Sequence, residues 1–494
     1  MESARLLFGL LLPWALGIAA MLVIRDARRP LDAAGELAWC AGTGYLIGAL
    51  ALTLWMRALS LAGIRFGAVA IALPLLAATA ALGVLGWRRH GGLRGVVAGA
   101  MHSLLAPSGV SGTLRYLWLG LLAWLALRFA LLGYEVALRP LYPWDAWIEW
   151  ATKARVYFEF GTIVPFLPAD TWMAANGAAW FDASPQNPVT LPLLQTWTCI
   201  ALGRWDDALM NWPWWQFAVA LTLFVYGGLC RQGLDRTCAL IGAYLAASLP
   251  LVGVHVALAG YADLPLAIYL VAAVLVFMRW VTTRAVRDLG LVVLFAAACP
   301  LIKTTGAIWA LTLIPGFAMA LLAQRGPKLL AGGLGLAMFL VAVLAQTQLV
   351  VAGHSLHLDF APAWSALGET YLLFANWHLL WYGFIGVAIL AWRHLLAPPL
   401  APLTAIVVAG LFFVLTLFFF PGLRFKLVDP PTLDRATLHL APMIVVYILL
   451  SFHAFAATWT TRHATPSAPP AAEQEAPSAS ADQAPEAPPA GQAV

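Results

Sequence analysis

Charge is scarce in this sequence. Only 10% of the 494 residues are Asp, Glu, Lys or Arg, while 62% are hydrophobic and the mean hydropathy is +0.83. A soluble domain is about a quarter charged, so the composition excludes a soluble fold and indicates a polytopic membrane protein. Cysteine is also scarce. Cys40, Cys199, Cys230, Cys238 and Cys299 are odd in number and irregular in spacing, with no C-x-x-C pair. They read as small core residues, not as a disulfide framework or thiolate metal site. A Walker loop, a G-x-G-x-x-G after a strand and an H-E-x-x-H are missing too, and the net charge of +5 forms no basic stripe for nucleic acid. Without a soluble catalytic module, any chemistry must use loops at the membrane surface.

What is abundant is apolar runs. A spanning helix needs about 20 mostly apolar residues. Thirteen segments are candidate spans: 6–24, 37–56, 66–87, 116–136, 210–230, 237–258, 264–280, 289–302, 306–323, 329–352, 371–392, 402–420 and 436–459. Arg5 followed by an apolar run to Ile24 reads as a first membrane helix, not a removed signal. The stretch 188–202 is apolar but short, which suits an interfacial or re-entrant helix. From Thr465 to Val494 the chain turns to Ala, Pro, Ser, Glu and Gln, a composition too poor in apolar surface to offset ordering entropy. The expected fold is thus all-α, a transmembrane helical protein with about 13 spans. Its parts are N-terminal membrane helices (1–115), a membrane core (116–463) with a long first outer loop (137–209), and a disordered cytoplasmic tail (464–494).

If the spans alternate, the main arginine clusters share one side: Arg25, Arg28 and Arg29; Arg88, Arg89, Arg94 and Arg115; Arg231 and Arg236; Arg279, Arg284 and Arg287; Arg325 and Lys328; Arg393; Arg462. The positive-inside tendency makes that side cytoplasmic, with Arg5, Arg57 and Arg65 as minority exceptions on the other. The outer loops nevertheless carry Arg139, Lys153, Arg155, Arg204, Lys303, Arg424, Lys426 and Arg435. Against that tendency, an anionic ligand outside accounts for them better than chance, although pairing with nearby Asp and Glu accounts for part of the set.

The densest polar feature on the outer side runs from Tyr142 to Arg155. Asp145, Glu149, Lys153 and Arg155 fall within eleven positions, among Trp144, Trp147 and Trp150. Such charges are expensive in lipid, on the order of 2.5–3.5 kcal/mol each at the bilayer centre, so the cluster belongs at a surface. Two readings stand side by side. In one, Asp145 caps an interfacial helix, Glu149 pairs with Lys153 one turn on, and the tryptophans form an aromatic belt. In the other, the carboxylates do chemistry.

The block Asp145-Ala146-Trp147-Ile148-Glu149-Trp150-Ala151-Thr152-Lys153-Ala154-Arg155 resembles the first outer-loop motif of polyprenyl-phosphate-sugar-dependent, GT-C type membrane glycosyltransferases. That group includes protein mannosyltransferases, lipid A aminoarabinose transferases and bacterial lipopolysaccharide-core sugar transferases. Four further segments resemble it in the same order. Ser184-Pro185-Gln186-Asn187-Pro188 stands where the group often has His-Pro-Asp-Tyr-Pro, so three of its polar side chains differ. Gly260-Tyr261-Ala262-Asp263-Leu264-Pro265 is close to the group's turn, and Lys303-Thr304-Thr305-Gly306 stands for Lys-Asn-Glu-Gly. Asp434-Arg435, followed by His439 and Pro442, is similar to the group's last-loop arginine. The similarity runs over residues 116–459.

The resemblance implies a transferase of the bacterial inner membrane with a periplasmic active site. It would move a sugar from a polyprenyl-phosphate donor to a hydroxyl of a glycan, a lipid-linked glycan or a protein. Asp145 is then the catalytic base, and Lys303, Arg424, Lys426 and Arg435 bind the donor phosphate. Glu149, Lys153, Arg155, Tyr261 and Asp263 support the site or touch substrate. Asp263 reads equally as a helix cap, Lys303 as a snorkelling lysine, and Lys153 and Arg155 as partners of Glu149. No metal ligand set is visible, although the resemblance leaves room for a divalent cation, and the histidines, His255 and His439 included, lack metal spacing. A transporter or flippase of lipid-linked saccharides is the rival reading. It calls for midplane binding residues and paired broken helices, and no internal repeat is evident.

Overall fold

A computed structural model describes residues 1–31, 33–90, 110–175, 179–322, 325–346, 349–351, 354–356, 362, 364–420 and 430–463. Met1–Phe455 forms one compact unit and Ala456–Val494 a second; the architecture below is that of the first. The expected tail, 464–494, lies outside the described residues.

Helices dominate. The described strands are the parallel pair Phe166–Leu167 with Trp180–Phe181 and the antiparallel pair Leu349–Val351 with His354–Leu356. Eight described helices are long and apolar enough to cross a membrane, nine if the bent pair Arg236–Ser248 and Pro250–Ala257 is one span. The chain is an all-α polytopic membrane protein.

The helix Asp263–Thr283 is the core of the bundle. Every residue from Asp263 to Trp280 is buried, as expected of a helix that is apolar all round. Pro265 lies in its first turn, where a missing N–H costs no helical bond. The helices Trp212–Arg231, Val286–Ile302 and Ala401–Phe419 pack around it. On the N-terminal side, Glu2–Ile24 and Glu36–Leu61 approach backbone to backbone. A Cβ on Gly17 would collide with the Gly44 carbonyl, and one on Gly48 with the Pro13 carbonyl, the small-residue contact by which membrane helices gain packing. Glu36–Leu61 packs in turn against Trp212–Arg231.

Several expected spans are helical but interrupted. The pair Arg236–Ser248 and Pro250–Ala257 bends by 55°, because Pro250 removes an N–H and disfavours helical backbone at Leu249. The expected span 289–302 is the 17-residue helix Val286–Ile302, with Pro300 inside it. The span 306–323 is two helices, Gly306–Leu311 and Leu313–Leu321. The span 329–352 stops at Gln346, before the strand Leu349–Val351. The span 371–392 holds an 11-residue helix, Leu380–Leu390, after a π turn and a 3-10 turn. The span 402–420 is the 19-residue helix Ala401–Phe419. The last expected span begins late: Pro430–Leu438 is a separate short helix, and Ala441–His463 starts three residues after it, with Pro442 in its first turn. Thr190–Leu202, expected as interfacial or re-entrant, is buried on nearly every side, so it is an internal helix and not one lying on a membrane surface.

Charged side chains gather at the two ends of this apolar bundle. At one end Glu36 meets Arg25, Arg29 and Arg231, Arg279 meets Asp288, and Arg287 meets Asp26. These arginines come from the clusters expected to share a side. At the other end lie Asp145, Asp263, Lys303 and Arg435. The helix Asp263–Thr283 joins both, with Asp263 and Arg279 sixteen residues apart, about 24 Å at 1.5 Å per residue.

Candidate functional site

The site forms where four chain breaks converge. Asp145 precedes the π-helical turn Ala146–Ala151, which leads into the α-helix Thr152–Phe160. Asp263 opens its buried helix after the turn at Gly260. Lys303 ends Val286–Ile302 in extended backbone, and Arg435 and His439 flank the end of the short helix Pro430–Leu438. The turns at Gly260 and Asp145 touch: Gly260 has φ +116°, and a Cβ there would collide with the Ala146 Cβ. Only glycine meets both conditions without strain.

Asp263 is the hub, and it is fully buried. Lys303 Nζ donates to its Oδ1 at 2.6 Å, Arg435 Nε donates to its Oδ2 at 2.9 Å, and His439 Nε2 lies 3.0 Å from Oδ1. The same Arg435 donates from Nη1 to Asp145 Oδ2 at 2.5 Å. One guanidinium thus bridges two carboxylates contributed 118 residues apart in the chain, 145 and 263. Its Cζ lies over the Tyr261 ring, 4.3 Å from the centroid, a cation–π contact that helps hold it there. The Tyr261 carbonyl is held by Trp214 Nε1 at 2.7 Å.

Exposure separates the two carboxylates. The Asp263 side chain is 0% exposed, whereas those of Asp145, Arg435 and Lys303 are 30%, 22% and 20% exposed. Burial works against the Arg435 charge, but Asp263 and Asp145 outweigh it and hold the guanidinium above its ordinary pKa. Burial pushes His439 down more than Asp263 pulls it up, so its ring is neutral at pH 7. It packs edge-on against Trp309, with centroids 5.4 Å apart.

Several expectations are corrected. Asp145 makes no side-chain cap to the following turn; its carboxylate faces Arg435 instead. Glu149 and Lys153 do not pair. Glu149 accepts from Ser184 Oγ at 2.8 Å and from Asn187 Nδ2 at 2.9 Å. Lys153 is buried, 2.5 Å from Asp182 Oδ2, and donates to the Ser184 carbonyl at 3.0 Å. The cause is the π turn, whose i→i+5 bonding inserts a residue so that positions four apart across it no longer share a face. Arg155 points elsewhere, pairing with Glu159 at 2.7 Å and lying 5.0 Å from the Trp205 ring centroid. Arg424 and Lys426 lie outside the described residues.

The structure therefore brings together Asp145, Tyr261, Asp263, Lys303 and Arg435, keeps Glu149 and Lys153 in the adjoining loop, and leaves Arg155 at a distance. Reading the sequence missed three contributors. His439 carried no signal beyond its place after Asp434-Arg435, since its spacing suits no metal. Asp182 carried no signal beyond being an acid within the loop. Thr304 Oγ1 donates to Asn187 Oδ1 at 3.2 Å, so Glu149, Asn187 and Thr304 form a chain that ends beside Lys303. Asp434 faces away from the cluster and accepts from Asn376 Nδ2 at 2.8 Å; burial pushes its carboxyl up to about 6.

Among the described residues, no group of three or more His, Cys, Asp or Glu is arranged to hold a metal ion. A cavity of about 730 Å³ opens beside Leu6, Leu10, Trp14, Leu202 and Trp212. Its walls are mostly apolar and none of Asp145, Asp263, Lys303 or Arg435 lines it, so it is separate from the charged cluster. No family model, curated protein or solved structure matches this chain.

Proposed function

We propose that the chain is a membrane glycosyltransferase of GT-C type. It moves a sugar from a polyprenyl-phosphate donor to a hydroxyl of a glycan, a lipid-linked glycan or a protein, on the periplasmic face of a bacterial inner membrane. The observation that carries this reading is the pairing of a partly exposed carboxylate, Asp145, with two partly exposed cations, Lys303 and Arg435, around one buried anchor. In the reaction the acceptor oxygen attacks the anomeric carbon and forms the new C–O bond. The bond from that carbon to the phosphate oxygen breaks, and the polyprenyl phosphate leaves with the electron pair. The acceptor proton passes to Asp145.

The residue types suit each role. The leaving phosphate is already a stable anion, so it calls for cations more than for an acid. Arg435 supplies planar, bidentate donors and Lys303 a point charge. Asp263 holds both cations in place. A hydroxyl is a poor nucleophile, and a positioned base contributes roughly 10²–10⁴-fold. A single displacement with one base inverts the anomeric carbon. Full-length protein supplied with polyprenyl-phosphate sugars and lipid-linked acceptors should transfer sugar, and Asp145→Asn should lose at least about 10²-fold of that rate. Full transfer by a folded Asp145→Asn protein would remove Asp145 as the base.

A second reading, translocation of a lipid-linked saccharide, draws on the 55° break between Arg236–Ser248 and Pro250–Ala257, the kind of broken helix that transporters use. Reconstituted vesicles separate the two: translocation with the sugar–phosphate bond intact favours the transporter, and bond cleavage favours the transferase.

A further inference from the structure

The bridge made by Arg435 has one tight half and one loose half. On the Asp263 side the carboxylate is fully buried and is also bound by Lys303, with His439 close by. On the Asp145 side the carboxylate is partly exposed, and Arg435 is its one ion-pair partner among the described residues. Losing the first contact would strand a buried charge, which is strongly unfavourable. Losing the second returns a partly exposed carboxylate to water, which costs little.

The charges at the site also balance. Asp145 and Asp263 contribute two negative charges, Lys303 and Arg435 two positive ones, and His439 is neutral. Among the described residues of the cluster, an incoming phosphate therefore meets no cation without a carboxylate partner. It must take one from a carboxylate, and Asp145 is the carboxylate that can yield. Arg435 has five N–H donors in a planar fork, and Tyr261 beneath it holds that fork in place while one partner replaces another.

We infer that a lipid phosphate and the Asp145 carboxylate exchange on Arg435. The phosphate of an isoprenoid monophosphate or phosphodiester settles between Lys303 Nζ and Arg435 Nη1, and Asp145 is released from the guanidinium as it does so. This deepens the transferase reading and rests on it for its meaning: phosphate loading and unmasking of the base become one event. Released from the guanidinium, the Asp145 carboxylate is free to accept the hydroxyl proton only once the donor is in place. The donor then binds first and the acceptor second, and the empty enzyme holds no free base.

The test is a binding titration with the full-length chain in nanodiscs, at neutral pH and low salt. The probe is farnesyl phosphate, with farnesol as the control lacking the phosphate. Because Asp145 competes for the guanidinium, Asp145→Asn should bind farnesyl phosphate about two- to fivefold more tightly than the unaltered protein, the scale of a partly exposed ion pair. Arg435→Gln should weaken binding about tenfold or more, and in that background Asp145→Asn should bring no gain. Farnesol should bind all variants alike. Asp145→Ser gives the same readout should the Asn variant not fold. Unchanged or weaker farnesyl phosphate binding by the folded Asp145 variants overturns the exchange. Sugar transfer, measured on the same preparations, separates this from the parent reading. If Asp145→Asn keeps transfer but binds more tightly, the exchange stands and the base assignment falls. If transfer is lost and affinity is unchanged, the exchange falls alone.

Discussion

Glu36 and Asp263 are built alike. Each is a fully buried carboxylate in the first turn of a membrane helix, where the helix dipole favours an acid, and each faces three basic side chains. Glu36 has Arg25, Arg29 and Arg231; Asp263 has Lys303, Arg435 and His439. The difference lies in what the cations do next. Around Glu36, Arg25 and Arg231 are buried, Arg25 donating also to the Arg29 carbonyl and Arg231 lying over the Trp39 ring, and the partly exposed Arg29 goes on to no second carboxylate among the described ion pairs. Around Asp263 they reach toward the surface, and Arg435 passes on to a second, partly exposed carboxylate. The same charge motif closes one end of the bundle and leaves a partly exposed ion pair at the other.

The comparison can be broken from either side. The largest effect is expected at the closed end. Glu36→Gln strands three arginines around one neutral group, and breaking a buried ion network of this kind costs about 3–5 kcal/mol. Thermal melting in detergent should show a large loss of stability, and any fall in transfer should track the folded fraction. At the open end the pattern reverses: Asp145→Asn should change stability by no more than about 1 kcal/mol while removing transfer. Equal stability losses for the two variants would dissolve the distinction.

A middle effect is expected from Glu149→Gln. It disturbs the hydrogen bonds from Ser184 and Asn187, at about 1–3 kcal/mol for a buried partner left unmatched. Through Asn187 and Thr304 it loosens the turn that carries Lys303. Donor KM should rise more than kcat falls; a pure kcat effect would instead place Glu149 in the chemistry.

A pH-dependent effect concerns Asp434, whose carboxyl burial raises from 3.8 to about 6 in the folded chain. Between those values the folded state binds the extra proton, so this group's contribution to stability falls as pH rises from about 4 to about 6 and is level above. Asp434→Asn should therefore be stabilised relative to the parent above pH 6, with the advantage vanishing near pH 4. Melting curves across that range check the sign.

Much of this was legible in the residues. The expected apolar runs contain helix, because length and hydropathy act locally, but only eight described helices, or nine with the bent pair, are long and apolar enough to span. The interruptions were not, since Pro300 sits inside a continuing helix while Pro250 marks a 55° bend; tertiary packing decides between those outcomes. Asp145, Asp263, Lys303 and Arg435 could be picked out because charge is conspicuous in an apolar chain. That Arg435 would bridge two of them could not, as it depends on three turns meeting. The pairing of Glu149 with Lys153 was misread for a local reason, the π turn, which leaves no plain mark in sequence. Lys153 found Asp182 only because the intervening loop folds back.

The contact between Gly260 and Ala146 makes the spacing of the site a matter of one missing methyl group. A side chain at position 260 would collide with the Ala146 Cβ and oppose a φ of +116°, pushing the Asp145 turn away from the Tyr261–Asp263 turn. Gly260→Ala is thus a spacer that widens the gap between Asp145 and Arg435 without altering a charge. Graded changes at this position turn the distance between Asp145 and its partner Arg435 into an adjustable quantity, a hinge width against which rate and affinity can be plotted separately.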